Sequence, residues 1–434
     1  MRPAAEATDV VVVGGGIGGL SMALALSRIG LRVRVLEQAN EFGEVGAGLQ
    51  LAPNATRILR TWGLLDEVVD LGVRPRNLVL RDALDGTRLT NLDLTDAQRR
   101  YGAPYVVIHR SDLHLILLRA CQREGVDLVT CCRVTDVVPD GPGAAAVSAD
   151  RVDRADLVVA ADGLHSTLRR KLSDDEPVSS CYVAYRGAVP TEQVSGLGIS
   201  VDDVVAFIGP RCHFVQYPLR QGEMFNQVAV FESAGARAGE DQWGTPDELD
   251  AAFARTCRQV RDGLPYLWRD RWWRMYDRDP IDRWVAGRLV LCGDAAHPPL
   301  QYLAQGAIMA IEDAWTLAAH IDAYTWGGAI DWTAALTAYE AVRTRHTARV
   351  ITTARAWGNL WHLDGAARLR RNELLRARDP HDYSYVDWLY GPTALVPADL
   401  VALPAPGDRP KPTAPGHLPS AAGGSHLGAA EVGP

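Results

Sequence analysis

The feature that most constrains this chain is a glycine loop set between an apolar run and an apolar helix near the N-terminus. Asp9-Val10-Val11-Val12-Val13 reads as a strand buried on both faces of a parallel sheet. Gly14-Gly15-Gly16-Ile17-Gly18-Gly19 follows, with Gly14, Gly16 and Gly19 in GxGxxG register. Leu20 to Arg28 then carries helical periodicity, Gly30 ends it, and Leu31 to Leu36 reads as a second strand closed by Glu37. In such a βαβ opening Gly14 permits the tight turn, Gly16 lets backbone approach a pyrophosphate, and Gly19 lets the helix pack closely. A carboxylate at Glu37 accepts from ribose hydroxyls and repels a 2′-phosphate. An adenine dinucleotide is therefore expected on Gly14, Gly16, Ile17, Gly18 and Gly19, with Glu37 and its neighbour Gln38 at the ribose.

Buried strands and helical stretches recur along the 434 residues. Asn54 to Leu65 and Ser111 to Gln122 read as helices, and Ala155 to Ala161 as a buried strand. From about Ser179 the pattern changes to strands that look antiparallel: Cys181–Val189, Val204–Ile208, His213–Leu219 and Gln227–Phe231. A parallel-type strand returns at Arg288 to Cys292, before helices over Gly306 to His320 and Tyr339 to Trp361. These elements predict an α/β fold: a doubly wound GxGxxG domain with an interleaved antiparallel β-sheet substrate domain and C-terminal helices. The expected divisions are 1–178 and 281–345 for the dinucleotide domain and 179–280 for the substrate sheet. A helical region follows over 346–402, and 403–434, rich in Pro, Gly and Ala, is expected to be disordered.

Two further motifs choose between nicotinamide and flavin. Asp162-Gly163-Leu164-His165-Ser166 with Arg169 follows one buried strand, and Gly293-Asp294-Ala295-Ala296-His297-Pro298 follows another. A nicotinamide dehydrogenase usually needs neither. Asp294 at a strand end can hold ribityl hydroxyls, and the helix starting at Gly306 and Ala307 aims its positive end at the isoalloxazine carbonyls. The expected resident cofactor is FAD.

With those motifs in order, the sequence over about residues 8–395 resembles the single-component (class A) flavoprotein aromatic hydroxylases. Gly43 to Gln50, His109 to His114, Ala184-Tyr185-Arg186-Gly187 and Leu300 to Ala304 resemble the salicylate and 3-hydroxybenzoate hydroxylase branch. Gly209 to Leu219 and Trp272 to Asp277 are most similar to members acting on 3-hydroxybenzoate. One residue departs: Gln305 stands where the resemblance predicts a smaller side chain beside the flavin. The resemblance implies tightly bound FAD, contacts to it from Gly48, Gln50, Arg110 and Asp162, and NADH as a transient reductant without a second Rossmann domain. It implies that O₂ adds to the reduced flavin and the resulting hydroperoxide hydroxylates an activated phenol. A homodimer is a further expectation.

A phenol must be deprotonated to become a strong nucleophile, so a base or relay must meet its hydroxyl. On strand 213–219, His213, Val215 and Tyr217 share one face, and Phe214 and Gln216 the other. His213 and Tyr217, about 13–14 Å apart along the strand, can bracket a small aromatic acid. Tyr217 is assigned to proton relay, His213 to the hydroxyl or carboxylate, and Gln301, in the loop after Gly293-Asp294, to orienting substrate or oxygen; Tyr105 is a further pocket candidate. His297 is assigned a structural part, as are Arg186 (an ion pair, with a substrate carboxylate as the alternative partner) and the Trp268, Trp272 and Trp273 cluster (core or dimer surface). His320, His346 and His362 carry no expected function.

Bulk composition excludes other classes. A net charge of −8 argues against nucleic-acid binding, which needs Lys and Arg on phosphates. Seven scattered cysteines without CxxC spacing predict buried thiols in a reducing cytoplasm and no metal site. The apolar run 10–26 is too glycine-rich for a membrane span. The nearest rival within the fold is a salicylate 1-hydroxylase or a hydroxynicotinate analogue, which would share nearly all the motifs. The polar set at 213, 217 and 301 speaks against a flavin reductase that makes no productive use of O₂, and the intact Gly293-Asp294 loop against a non-catalytic FAD module.

Overall fold

The structure, a computed structural model, describes residues 8–43 and 46–391. Val10–Val13 lies at the centre of a six-stranded sheet, pairing in parallel with Val33–Leu36 and with Leu157–Ala160. Leu289–Leu291 and Asp127–Val129 extend the sheet in parallel, and Val285–Ala286 closes one edge antiparallel. Val10, Val11 and Val12 are wholly buried, as a strand covered on both faces requires. Helix Ile17–Arg28 packs on Arg110–Arg123 and Gly306–Ala323, and the latter on the 30-residue helix Trp332–Trp361.

The second sheet has seven strands. In spatial order they are Trp273–Asp277, Val178–Pro190, Met224–Glu232, Cys212–Leu219, Asp203–Gly209, Asn77–Asp82 and Arg88–Asp93. Its two faces divide with period two. Val204, Ala206, Val215, Tyr217, Val228 and Val230 join the main core. Val205, Phe207, Phe214, Ala229 and Phe231 form a second cluster with Leu249 and Phe253 of helix Pro246–Phe253.

The expected elements appear with shifted ends. The expected helix 54–65 is two helices, Pro53–Thr61 and Leu65–Leu71, parted at Gly63, whose φ of 65° a helix cannot continue through. The second sheet also recruits Asn77–Asp82 and Arg88–Asp93 from before the 179–280 segment. The first of these pairs in parallel with Asp203–Gly209, across more than a hundred residues of chain. The segment 403–434 lies outside the described residues. Among those described, no helix is long and apolar enough to cross a membrane, and all seven cysteines are free.

Candidate active site

A cavity of about 930 Å³ runs between the glycine loop and the inner face of the seven-stranded sheet. Each sheet brings its own chemistry to it.

On the first side the wall is largely backbone. Gly16, Ile17 and Gly18 line it, together with Gly163, Gly293, Asp294, Gly306 and Ala307. Gly14 turns there with φ 107°, and a Cβ on it would meet the Ala161 carbonyl. A Cβ on Gly19 would meet the Gly14 carbonyl, so both glycines are needed for the close turn. Glu37 accepts from the Gly15 N–H at 2.6 Å and the Ala39 N–H at 2.8 Å, fixing its carboxylate at the loop. Gln38 beside it is exposed. His114 donates to the Gly15 carbonyl at 2.8 Å, a buried tie that no local pattern announces.

The loop Gly293-Asp294 is held from below by a buried ion network. Asp313 accepts from the Gly293 N–H (2.9 Å), from His297 Nε2 (2.5 Å) and from Arg343 Nε (2.7 Å). Burial alone would raise the Asp313 pKa, but His297, Arg343 and these hydrogen bonds pull it down to about 2. Arg343 also binds Glu312, whose other oxygen accepts from Asn54. His297 thus has the structural part assigned to it. Arg169 ties the Asp162-Gly163 segment to the same loop, donating to the Ala295 and Ala296 carbonyls at 3.0 and 2.6 Å.

The Asp294 side chain is exposed, with no hydrogen-bond partner among the described residues, and reaches the cavity. Open backbone beside a carboxylate free to accept suits a ligand that offers phosphates and polyol hydroxyls. The donor set fits FAD. Asp162 is placed differently from its expected contact with the cofactor. Its oxygens accept from Ser166 Oγ (2.6 Å) and from the Thr167 and Leu168 N–H groups, so it closes its own turn, while Gly163 lines the cavity. Gln305 does not crowd the cavity with a free amide. It accepts from Asn54 at 3.0 Å and donates to the Leu303 carbonyl.

On the second side the wall is polar side chains on an apolar sheet face. His213, Val215 and Tyr217 line the cavity, whereas Phe214 packs into the second cluster and Gln216 donates to Gln227. Gly48 and Gln50 come from strand Gly48–Leu51, where Gly48 donates to Asn226 at 3.0 Å. A Cβ on Gly48 would overlap the Tyr217 ring, so this glycine admits that tyrosine. Tyr105 is buried and donates to Gln50 Oε1 at 2.7 Å. Gln301 lines the cavity from a short 3₁₀ turn, and Arg110 from the start of its helix.

Electrostatics distinguish these groups. Burial pushes the Tyr217 hydroxyl up against the opposing pull of Arg186, so it stays a neutral phenol. Burial, with His362 adding to it, drives His213 well below the usual imidazole range, so the ring is neutral and holds an added proton only weakly. Arg186 was expected in a structural ion pair. Instead no carboxylate pairs with it among the described residues; its guanidinium lies 5.5 Å from the Trp273 ring centroid and faces the cavity. Burial lowers its pKa, partly offset by Tyr217. Trp273 is likewise a cavity residue and not only core. His362, read as inert, binds His213: Nδ1 of one ring lies 2.9 Å from Nε2 of the other.

Fold and cavity define a flavin-dependent aromatic monooxygenase, and the relatives agree. Residues 7–354 match the FAD binding domain family, and the chain belongs to it. The chain is 38% identical to a 3-hydroxybenzoate 6-hydroxylase of Polaromonas naphthalenivorans, over 88% of this chain and 95% of that protein. It is also 38% identical to a 3-amino-4-hydroxybenzoate 2-monooxygenase of Streptomyces cremeus, over 91% and 98%. Among solved structures, HpxO of Klebsiella pneumoniae complexed with FAD and uric acid superposes with a TM-score of 0.76 at 26% identity, covering 86% of this chain and 93% of that one.

Proposed function

We propose that this chain hydroxylates a hydroxybenzoate at the expense of NADH and O₂, with 3-hydroxybenzoate converted to 2,5-dihydroxybenzoate (gentisate) as the leading reaction. The observation that carries the reading is the set of His213, Tyr217, Gln301 and Arg186, which has no carboxylate partner among the described residues, on one cavity wall opposite the FAD loops. Bound FAD supplies the electron transfer and the activated oxygen. The chain's own residues then have five tasks. Arg186 receives the substrate carboxylate, because a desolvated cation gains most from an anion of the ligand. His213, neutral, accepts the phenolic proton at Nε2, and Tyr217 stays protonated and hydrogen-bonds the substrate oxygen. Gln301 orients substrate from the turn after the Asp294 loop, with Tyr105 and Gln50 closing the pocket beside it. The apolar sheet face around Val215 excludes water and strengthens each of these contacts.

A second reading, hydroxylation of a 3-amino-4-hydroxybenzoate in a biosynthetic sequence, is favoured by the equal identity to the Streptomyces cremeus enzyme. Salicylate and hydroxynicotinate are further members of the same ligand class. A panel of these acids, with NADH consumption and product analysis, separates them. Gentisate from 3-hydroxybenzoate supports the lead, whereas catechol and CO₂ from salicylate as the main product contradicts it. We also propose a cytoplasmic homodimer, in keeping with seven free cysteines; light scattering of the purified holoenzyme showing a monomer would contradict the dimer.

A further inference from the structure

The imidazole pair behind the substrate wall has no part in the reading above, and its geometry gives it one. His213 Nδ1 and His362 Nε2 are 2.9 Å apart, with the rings within 20° of parallel. At that distance one nitrogen donates and the other accepts. His213 is 1% exposed and lines the cavity, while His362 is 9% exposed and follows the last turn of helix Trp332–Trp361. Of the two rings, His362 therefore has the greater contact with solvent.

We propose that His362 is the second member of a proton relay, taking the substrate's phenolic proton from His213 and passing it out of the cavity. The inference rests on the phenol-binding reading of His213. The phenol O–H bond breaks as its proton joins His213 Nε2. The proton on His213 Nδ1 crosses to His362 Nε2, and the proton on His362 Nδ1 leaves to water. One proton enters the pair and one leaves, and transfer in the reverse sense restores the starting tautomers.

The surroundings suit a conduit and not a proton store. The charged and titratable groups facing the pair are Tyr302, centroid 5.5 Å from both rings, Tyr182, stacked on His362 at 4.6 Å, and Arg371. Among the described residues no carboxylate is hydrogen-bonded to either imidazole. Arg371 is itself anchored, donating to the Leu360 and Trp361 carbonyls and to Asn372. Arg371, itself 3.8 Å from Asp82, opposes a charge on His362, and with no carboxylate bonded to either ring among the described residues a charged His362 is short-lived, so the proton moves on. Tyr182 and Tyr302 hold the His362 ring in line with its partner.

The test uses the FAD-loaded protein with 3-hydroxybenzoate and no NADH. Stopped-flow absorbance follows formation of the phenolate, and a pH-indicator dye follows proton release to solvent. The wild type should release a proton in step with phenolate formation. His362→Phe, which keeps a ring against Tyr182, should bind FAD and substrate with unchanged affinity but release the proton at least tenfold more slowly. If His362→Phe is unstable, His362→Gln carries the same expectation. Unchanged proton release in either variant, with the wild type releasing normally, overturns the relay alone. A wild type that binds no hydroxybenzoate or releases no proton overturns the functional reading and the relay together.

Discussion

The two walls of the cavity are built on opposite principles. Beneath the Asp294 loop, buried polar side chains satisfy one another: Asp313, Arg343, His297, Glu312 and Asn54 form a closed set that fixes backbone. Along strands Cys212–Leu219 and Val178–Pro190, Arg186, His213 and Tyr217 present polar groups to the cavity, and no carboxylate balances the Arg186 cation among the described residues. The first arrangement buries its charges in pairs and holds shape. The second leaves charge unbalanced until a ligand arrives, which is the expected state of a binding wall. The cofactor wall should therefore fail by collapse when altered, and the substrate wall by loss of chemistry.

The largest effect should come from the closed network. Asp313→Ala leaves Arg343 without one of its two buried carboxylate partners and removes the tie to Gly293, and breaking such a pair costs about 3–5 kcal/mol. Chemical denaturation should show that loss, and the purified protein should be colourless. A stable yellow Asp313→Ala protein would erase the contrast between the walls.

Next in size, Tyr217→Phe should keep FAD and its reduction by NADH while hydroxylation falls by roughly ten- to hundredfold, in line with one lost hydrogen bond of about 1.5–3 kcal/mol to the phenolate oxygen. Rapid-reaction kinetics of the two half-reactions would show it, and equal loss in both would place Tyr217 on the cofactor side. Arg186→Gln should raise KM for the acid by roughly ten- to hundredfold, in line with a charge-assisted hydrogen bond of about 1.5–3 kcal/mol. Steady-state titration with the acid and with the matching carboxamide sharpens the assignment, because the carboxamide should lose much less.

A further effect is on stability against pH. Burial, with Arg371 assisting, lowers the His362 pKa from 6.5 to about 3. The unfolded chain then binds a proton that the folded chain refuses between those values. This contribution to stability is complete above about pH 6.5 and is lost as pH falls towards 3. His362→Phe should flatten the stability profile across that window, measured by denaturation at a series of pH values. Asp313, held at about 2, acts only lower, between about pH 4 and 2.

What could be read from sequence followed the same division. The glycine loop, Glu37 and the Gly293-Asp294 loop are local patterns whose meaning lies within a few residues, so FAD was legible from them. Strand alternation also placed His213 and Tyr217 on one face correctly. Asn77–Asp82 was missed as a strand of the substrate sheet because its parallel partner lies far along the chain. His362 meets His213 across 149 residues, a contact that no periodicity encodes. For Arg186 the ion pair was preferred to a substrate carboxylate for a related reason: whether a carboxylate of the chain reaches it is a property of the assembled cavity. Asp162 shows the converse, since a carboxylate in a suggestive motif spent its oxygens on its own turn.

The central claim, that the substrate wall performs the chemistry while the cofactor wall holds FAD, meets its most direct test in the coupling of NADH oxidation to product. Wild type and His213→Asn would be compared with 3-hydroxybenzoate, measuring FAD content, NADH consumed and hydroxylated product formed. The account predicts equal FAD content in both, product matching NADH in the wild type, and NADH oxidation with almost no product in the variant. Undiminished coupling in His213→Asn, or loss of FAD from it, would contradict the account.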